Sequence, residues 1–296
     1  MNTEQLNSDE RDYSTISPSA ASLLLLKGLT NIPFAREAAE LMLSPEKYEP
    51  DFTNRDIVLW ARIVHFESRY WSIDQLLSDI PAKNILELSS GFSFRGLAAI
   101  EQNDINYIDT DLDNVISVKK GMVARLKANE HATKGKLEMM PLNALDEAQF
   151  TAAINHFDEG EVVIVNEGLL VYLDTAEKER LCEIIRNILK QRGGYWITAD
   201  IYVKKEGDYG IRIVDKLSEF FQQHKIEENK FDSFGAAKEF FKKQGFIIDK
   251  EAVPNQSKLT ALNYLMQSAT PEQLTNMRNA EKVHQTWRLR LDKPDI

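Results

Sequence analysis

Hydrophobic positions along this chain follow two rhythms, and the change between them falls near residue 83. Up to that point the apolar residues recur at helical spacing. Ser17 and Pro18 supply an N-cap and a first-turn proline ahead of an apolar segment through Leu29, and a second helix follows Pro33 to about Leu43. The segment Thr53 to Ile80 places Ile57, Trp60, Ala61, Val64, Ile73, Leu76 and Leu77 at helical intervals, with Thr53 and Asp56 at capping-box spacing before them. Residues 1–14 are polar and without period, a loose arm, so residues 1–80 are expected to form a helical cap.

From Lys83 short apolar runs alternate with amphipathic helices, the pattern of parallel strands joined by right-handed crossovers. Strands are expected at Asn84 to Leu88, Asn106 to Thr110, Leu137 to Met140, Glu161 to Asn166, Tyr195 to Ile201, Phe246 to Asp249 and Gln285 to Leu291. The helix after Asp174 announces both ends: Asp174 and Glu177 form a capping box, Leu181, Ile184, Ile185, Ile188 and Leu189 make an apolar stripe, and Lys190, Arg192, Gly193 and Gly194 close it. Lys204 to Asp232, charged and aromatic, looks like a helical insertion over one sheet edge. Ser233 to Gln244 is helical again, and two further helical stretches precede the last strand. The expected architecture is α/β, an open, doubly wound, mostly parallel seven-stranded sheet over residues 81–296 with a helical N-terminal cover.

Composition narrows the chemistry. With 43% hydrophobic and 28% charged residues the chain can bury a core, which excludes disorder throughout. The aliphatic run Leu23 to Leu26 is far short of the roughly 20 residues a membrane-spanning helix needs. Met1 to Asp12 lacks a signal-peptide pattern, so a cytoplasmic location and no membrane partner are expected. The single cysteine, Cys182, has no partner for a disulfide or a thiolate metal site, and no metal is expected. Forty-six acids against 36 bases, with no basic tract, argue against a nucleic-acid partner.

In an open parallel sheet ligands bind beyond the carboxyl ends of the strands. Four loops there draw attention. Glu87 to Arg95 follows the first strand, and its small residues Ser89, Ser90 and Gly91 let a turn approach a ligand closely, although an ordinary strand-to-helix turn reads the same way. It is not the G-x-G-x-x-G of a dinucleotide site, which disfavours a nicotinamide-dependent oxidoreductase. After the second strand, Asp109 or Asp111 can accept hydrogen bonds from both hydroxyls of a ribose, while Asp113 suits an N-cap. Asn143 to Asp146 can border an adenine edge or cap the next helix. Glu167 ends an apolar strand, where an unpaired charge costs several kcal/mol, so it needs a cationic ligand or a neighbouring arginine.

The runs Asn84 to Arg95, Tyr107 to Val115 and Glu167-Gly168-Leu169-Leu170-Val171-Tyr172-Leu173 resemble the leucine carboxyl methyltransferase family, which includes polyketide O-methyltransferase-like proteins. Ile16-Ser17-Pro18-Ser19-Ala20, Ile32-Pro33-Phe34-Ala35 and Arg69-Tyr70-Trp71-Ser72-Ile73-Asp74 resemble its N-terminal signature, so the likeness spreads over about residues 14–203. The resemblance implies a Rossmann-like class I methyltransferase fold using S-adenosylmethionine. Arg69 would pair with the methionyl carboxylate, the turn Glu87, Ser89 to Gly91 would pass beneath the cofactor, Asp111 would hold the ribose, Asn143 and Ala144 would border the adenine, and Glu167 would sit by the methionyl end. The family usually carries glycine at Ser89 and aspartate at Ser93.

The expected activity is O-methylation of a carboxylate or hydroxyl of a small molecule or a protein C-terminus. The alternative is a non-catalytic descendant that kept the fold as a binding module, motivated by Ser89 and Ser93. A carboxylate acceptor needs no base; a hydroxyl would want one, and His65, Tyr172 or Tyr202 are conceivable, with Tyr172 facing the acceptor on the family pattern. Cys182, on an amphipathic helix, reads as packing.

Overall fold

A computed structural model describes residues 17–127, 133–204 and 222–292. The N-terminal arm and most of the Lys204 to Asp232 insertion lie outside the described residues. Seven strands form one sheet in the order β3-β2-β1-β4-β5-β7-β6: β1 Asn84–Leu88, β2 Asn106–Asp111, β3 Lys136–Pro141, β4 Val162–Asn166, β5 Gly194–Tyr202, β6 Phe246–Glu251 and β7 His284–Leu291. The first five run parallel, and β7 inserts antiparallel between β5 and β6. This is the doubly wound, mostly parallel seven-stranded α/β sheet the sequence predicts.

Every residue of β1 and β4 is buried, as expected of central strands covered on both faces. Alternate side chains feed two layers. On one face Leu86, Ile108, Ile164, Trp196 and Leu289 pack against α6 (Glu147–Ile154), α7 (Thr175–Arg192) and α8 (Phe234–Lys243). On the other, Ile85, Tyr107, Val163, Val165 and Ile197 meet α2 (Ala35–Leu43), α3 (Ile57–Ser78), α4 (Arg95–Gln102) and α5 (Asp113–Lys127). Gly96 makes the second layer possible: a Cβ there would stand 2.6 Å from the Tyr107 ring.

α7 follows its sequence closely. Asp174 accepts from the Glu177 N–H at 2.9 Å and Glu177 returns the bond at 2.8 Å, and the Leu181 to Leu189 stripe is buried against the sheet, each such side chain contributing about 1.5–3 kcal/mol. Cys182 packs in the same layer, its thiol pushed up by burial.

Two capping expectations are corrected. Asp56 alone caps α3, accepting from Val58 N–H at 2.9 Å, because Thr53 turns back to Asp51. Asp113 is the first residue of α5 and not its cap; the Leu112 carbonyl accepts the first N–H bonds. The N-terminal helices do more than cover the sheet. Ile73 and Leu76 of α3 belong to the sheet core, while Trp60 and Ile63 pack on Leu265 of α9 (Leu262–Ser268) and on Ala261 just before it. Glu67 pins that contact, accepting from Thr260 N–H at 2.9 Å and Ala261 N–H at 3.0 Å. Among the described residues no helix is long and apolar enough to cross a membrane.

Candidate active site

Strand order reverses between β1 and β4, and a cavity of about 1040 Å³ lies at the carboxyl ends of the parallel strands. Arg69, Ser89, Gly91, Asp111, Asn143, Ala144, Glu167 and Tyr172 all line it. Glu87 does not. Its side chain is buried within the sheet layer, accepting from Tyr107 Oη at 2.5 Å and lying 3.6 Å from Arg95 Nε. A carboxylate in a mid-sheet position needs a cation from its own layer, and Arg95 supplies it; Glu87 is a support behind the turn.

The β1 turn and the end of β2 are tied together. Ser89 and Gly91 both take positive φ, 48° and 49°, and the Gly91 N–H donates to Asp111 Oδ2 at 2.7 Å. Glycine is at home there, whereas Ser89 occupies the left-handed region at a cost. Asp111 Oδ1 accepts its neighbour's N–H, from Leu112, at 2.7 Å. Each oxygen thus holds one donor and keeps a lone pair for another. Burial pushes the Asp111 carboxyl up from its ordinary value and the two N–H bonds pull it back.

Asp109, left open as a ribose partner by the sequence, is withdrawn from the cavity wall: it is fully buried 2.8 Å from Lys119 Nζ, which also donates to Ser90 Oγ at 2.9 Å. Burial, more than Lys119 offsets, brings the Asp109 carboxyl up to about 6. The pair supports the turn from beneath. Asn143 makes a turn of its own, Oδ1 accepting from Leu145 N–H at 3.1 Å, while Asp146 takes the capping role on α6.

Glu167 finds its partners within the protein. Lys27 Nζ donates to Oε1 at 2.7 Å, Arg95 Nη2 to Oε2 at 2.9 Å, and Arg69 Nη2 lies 3.8 Å away. Burial works to raise this carboxyl, and the three cations outweigh it, bringing it to about 2. Each cation receives only a share of one carboxylate, so burial holds Lys27 below the usual lysine range. Arg95 also donates to Asp74 and to the Tyr70 carbonyl, and its guanidinium stacks 4.0 Å over the Tyr70 ring.

Asp200, at the end of β5, shapes the turn that carries Glu167. Its carboxylate accepts from the N–H groups of Gly168, Leu169 and Leu170 at 2.6, 2.7 and 3.1 Å and from Asn166 Nδ2 at 2.6 Å. Gly168, at φ 86°, leaves room for Arg69, whose Nη2 would stand 3.0 Å from a Cβ. Arg69 sits between Glu167, Asp200 at 3.6 Å and Tyr202 Oη at 3.2 Å; burial opposes its charge, and these neighbours more than restore it. Its Nε has no hydrogen-bond partner among the described residues.

Lys27, Arg95 and Asp200 were missed in the sequence. Asp200 carries the signal that exposed Glu167, an acid inside an apolar strand; Lys27 and Arg95 carry none, since their roles depend on where α1 (Ser17–Lys27) and α4 are packed. The conceivable bases His65 and Tyr202 come together, His65 Nε2 lying 2.6 Å from Tyr202 Oη, and both line the cavity. Tyr172 Oη lies 3.4 Å from Ser19 Oγ. Among the described residues no cluster of His, Cys, Asp and Glu is arranged to hold a metal.

No family model and no curated protein matches the chain. Among solved structures, the magnesium protoporphyrin IX methyltransferase ChlM from Synechocystis PCC 6803, with bound SAH, is similar over 88% of this chain and 96% of its own, at 9% identity and a TM-score of 0.46. The mitomycin 7-O-methyltransferase MmcR is similar over 93% of this chain and 67% of its own, at 11% identity and a TM-score of 0.46. A variant of LepI, in complex with SAH and a substrate analogue, is similar over 72% of this chain at 12% identity and a TM-score of 0.42, and this chain spans 44% of its length. At such identities the chemistry of those proteins does not transfer. The fold assignment stands on the strand order itself.

Proposed function

We propose that this chain is an S-adenosylmethionine-dependent O-methyltransferase acting on a small molecule, of the leucine carboxyl methyltransferase kind its motifs resemble. One observation carries the reading: the loops after β1, β2, β3 and β4 meet in a single cavity of about 1040 Å³, at the upper end of the range usual for ligand sites and roomy enough for a nucleoside cofactor with an acceptor beside it. The residues fit that cofactor. Asp111 retains one free acceptor site per oxygen for two ribose hydroxyls, the Ser89 to Gly91 turn gives close backbone approach, and Asn143 and Ala144 border the space for the adenine. Glu167 and Arg69 line the part of the cavity where the methionyl end would lie.

When bound, the cofactor supplies a methyl group on a sulfonium, open to in-line displacement by an oxygen. The chain's own task is to align that oxygen and keep water out. Apolar side chains of α1 and α3, Leu23, Ile57 and Val58, and Ile226 from the inserted segment are among the other residues lining the cavity and serve that exclusion.

Calorimetric titration with S-adenosylhomocysteine tests the reading. One saturable site is expected, and Asp111→Ala should weaken it by about 1–3 kcal/mol, the cost of buried hydroxyls left unpaired. No heat at millimolar ligand, or an Asp111→Ala chain that binds as tightly as the wild type, sinks it.

A further inference from the structure

Tyr202 ends β5 against the cavity, and its oxygen has a specific electronic situation. A phenol oxygen has one proton to give and two lone pairs to offer. Arg69 Nη1, which can only donate, takes one lone pair at 3.2 Å. His65 Nε2 lies 2.6 Å away. Burial, with His284 and Arg69 close by, holds His65 well below its ordinary value and pushes the Tyr202 hydroxyl up, so a neutral imidazole accepts the hydrogen bond of an intact phenol. One lone pair of Tyr202 is left for a ligand. His284 donates its Nε2–H to the Ala199 carbonyl at 2.6 Å, and of the two histidines it is His65 that bonds the Tyr202 oxygen. The cavity that Tyr202 lines carries apolar side chains, Leu23, Ile57, Val58 and Phe66 among them, together with the charged side chains of Arg62, Lys225, Glu227, Glu228 and Lys230.

We propose that Tyr202 touches the acceptor oxygen and that His65 behind it is the positioning residue that receives the proton, so that the acceptor is a molecule bearing a phenolic or enolic hydroxyl. This rests on the methyltransferase reading. The donor is a sulfonium. Its C–S bond breaks with the electron pair left on sulfur, and an O–CH3 bond forms. The acceptor's hydroxyl proton passes to Tyr202 Oη as the proton of Tyr202 passes to His65 Nε2.

A carboxylate acceptor needs no such relay, whereas a hydroxyl has a proton to lose. The other charged and titratable groups that act on His65 are Glu167, which favours the imidazolium, and His284 and Lys230, which oppose it.

The test uses 4-nitrophenol, whose phenolate absorbs where the phenol does not, bound to the chain loaded with S-adenosylhomocysteine at a pH where the free probe is mostly protonated. The wild type should hold about tenfold more of the probe as phenolate than free solution does, and Tyr202→Phe or His65→Gln should return it to the free value. S-Adenosylhomocysteine affinity in His65→Gln should stay within about twofold of wild type. A structural role alone moves thermal stability and leaves the phenolate band unchanged. The proposal is overturned if the wild type fails to bind the probe at millimolar concentration, or if the acid shift survives in Tyr202→Phe. Should S-adenosylhomocysteine not bind, the methyltransferase reading falls, and the same titration on the cofactor-free chain still decides for or against the Tyr202 and His65 pair.

Discussion

Replacing Glu167 by Gln removes the one carboxylate shared by Lys27, Arg69 and Arg95 while keeping its size. In the folded chain this group titrates at about 2, against an ordinary value of 4.5. At about 1.4 kcal/mol per unit, its ionised form stabilises the fold by about 3 kcal/mol. That agrees with the roughly 3–5 kcal/mol lost when one partner of a buried ion pair is removed. Because the folded value is depressed, the contribution is complete above pH 4.5 and is lost as pH falls towards 2. Urea unfolding followed by tryptophan fluorescence reads it, since Trp60 and Trp196 are fully buried. Glu167→Gln should be less stable than wild type by about 3 kcal/mol at pH 7, and by less than half of that near about pH 3. A difference below about 0.5 kcal/mol at pH 7, or one that does not change with pH, refutes the assignment of three cations to this carboxylate.

Lys119→Met should lower stability by about 3–5 kcal/mol by stranding buried Asp109, and should slacken the Ser90 turn; the check is unfolding together with S-adenosylhomocysteine affinity, and an equally stable variant contradicts it. Ser89→Gly relieves a left-handed φ at the price of unfolded-state entropy, so stability should change by no more than about 1 kcal/mol, in the stabilising direction, with ligand affinity kept. Gly96→Ala drives a Cβ into the Tyr107 ring and should cost about 1–3 kcal/mol by thermal denaturation. Cys182 should react with a thiol reagent only as fast as the chain unfolds; rapid labelling of the native protein would contradict its burial.

The strands were legible where a buried parallel strand is a short apolar run between turn residues, as β1, β4 and β5 show. The turn at Glu167 was legible for a related reason, an acid placed where only a paired charge is tolerable. What the sequence hid is set by distance along the chain. Lys27 reaches Glu167 across 140 residues and Arg95 across 72, pairings fixed by how α1 and α4 dock on the sheet and by no local pattern. Local polar signals misled where two partners compete for one side chain. Thr53 at capping-box spacing chose Asp51, and Glu87, read as part of the cofactor turn, was taken by Tyr107 and Arg95 in the layer behind it.

The convergence of four strand-end loops on one cofactor is tested most directly by a crystal structure of the chain with S-adenosylhomocysteine. Ribose hydroxyls are expected on the Asp111 carboxylate, adenine beside Asn143 and Ala144, and the homocysteine end toward Glu167 and Arg69. Ligand density anywhere outside this cavity, or a ribose that leaves Asp111 untouched, contradicts that convergence.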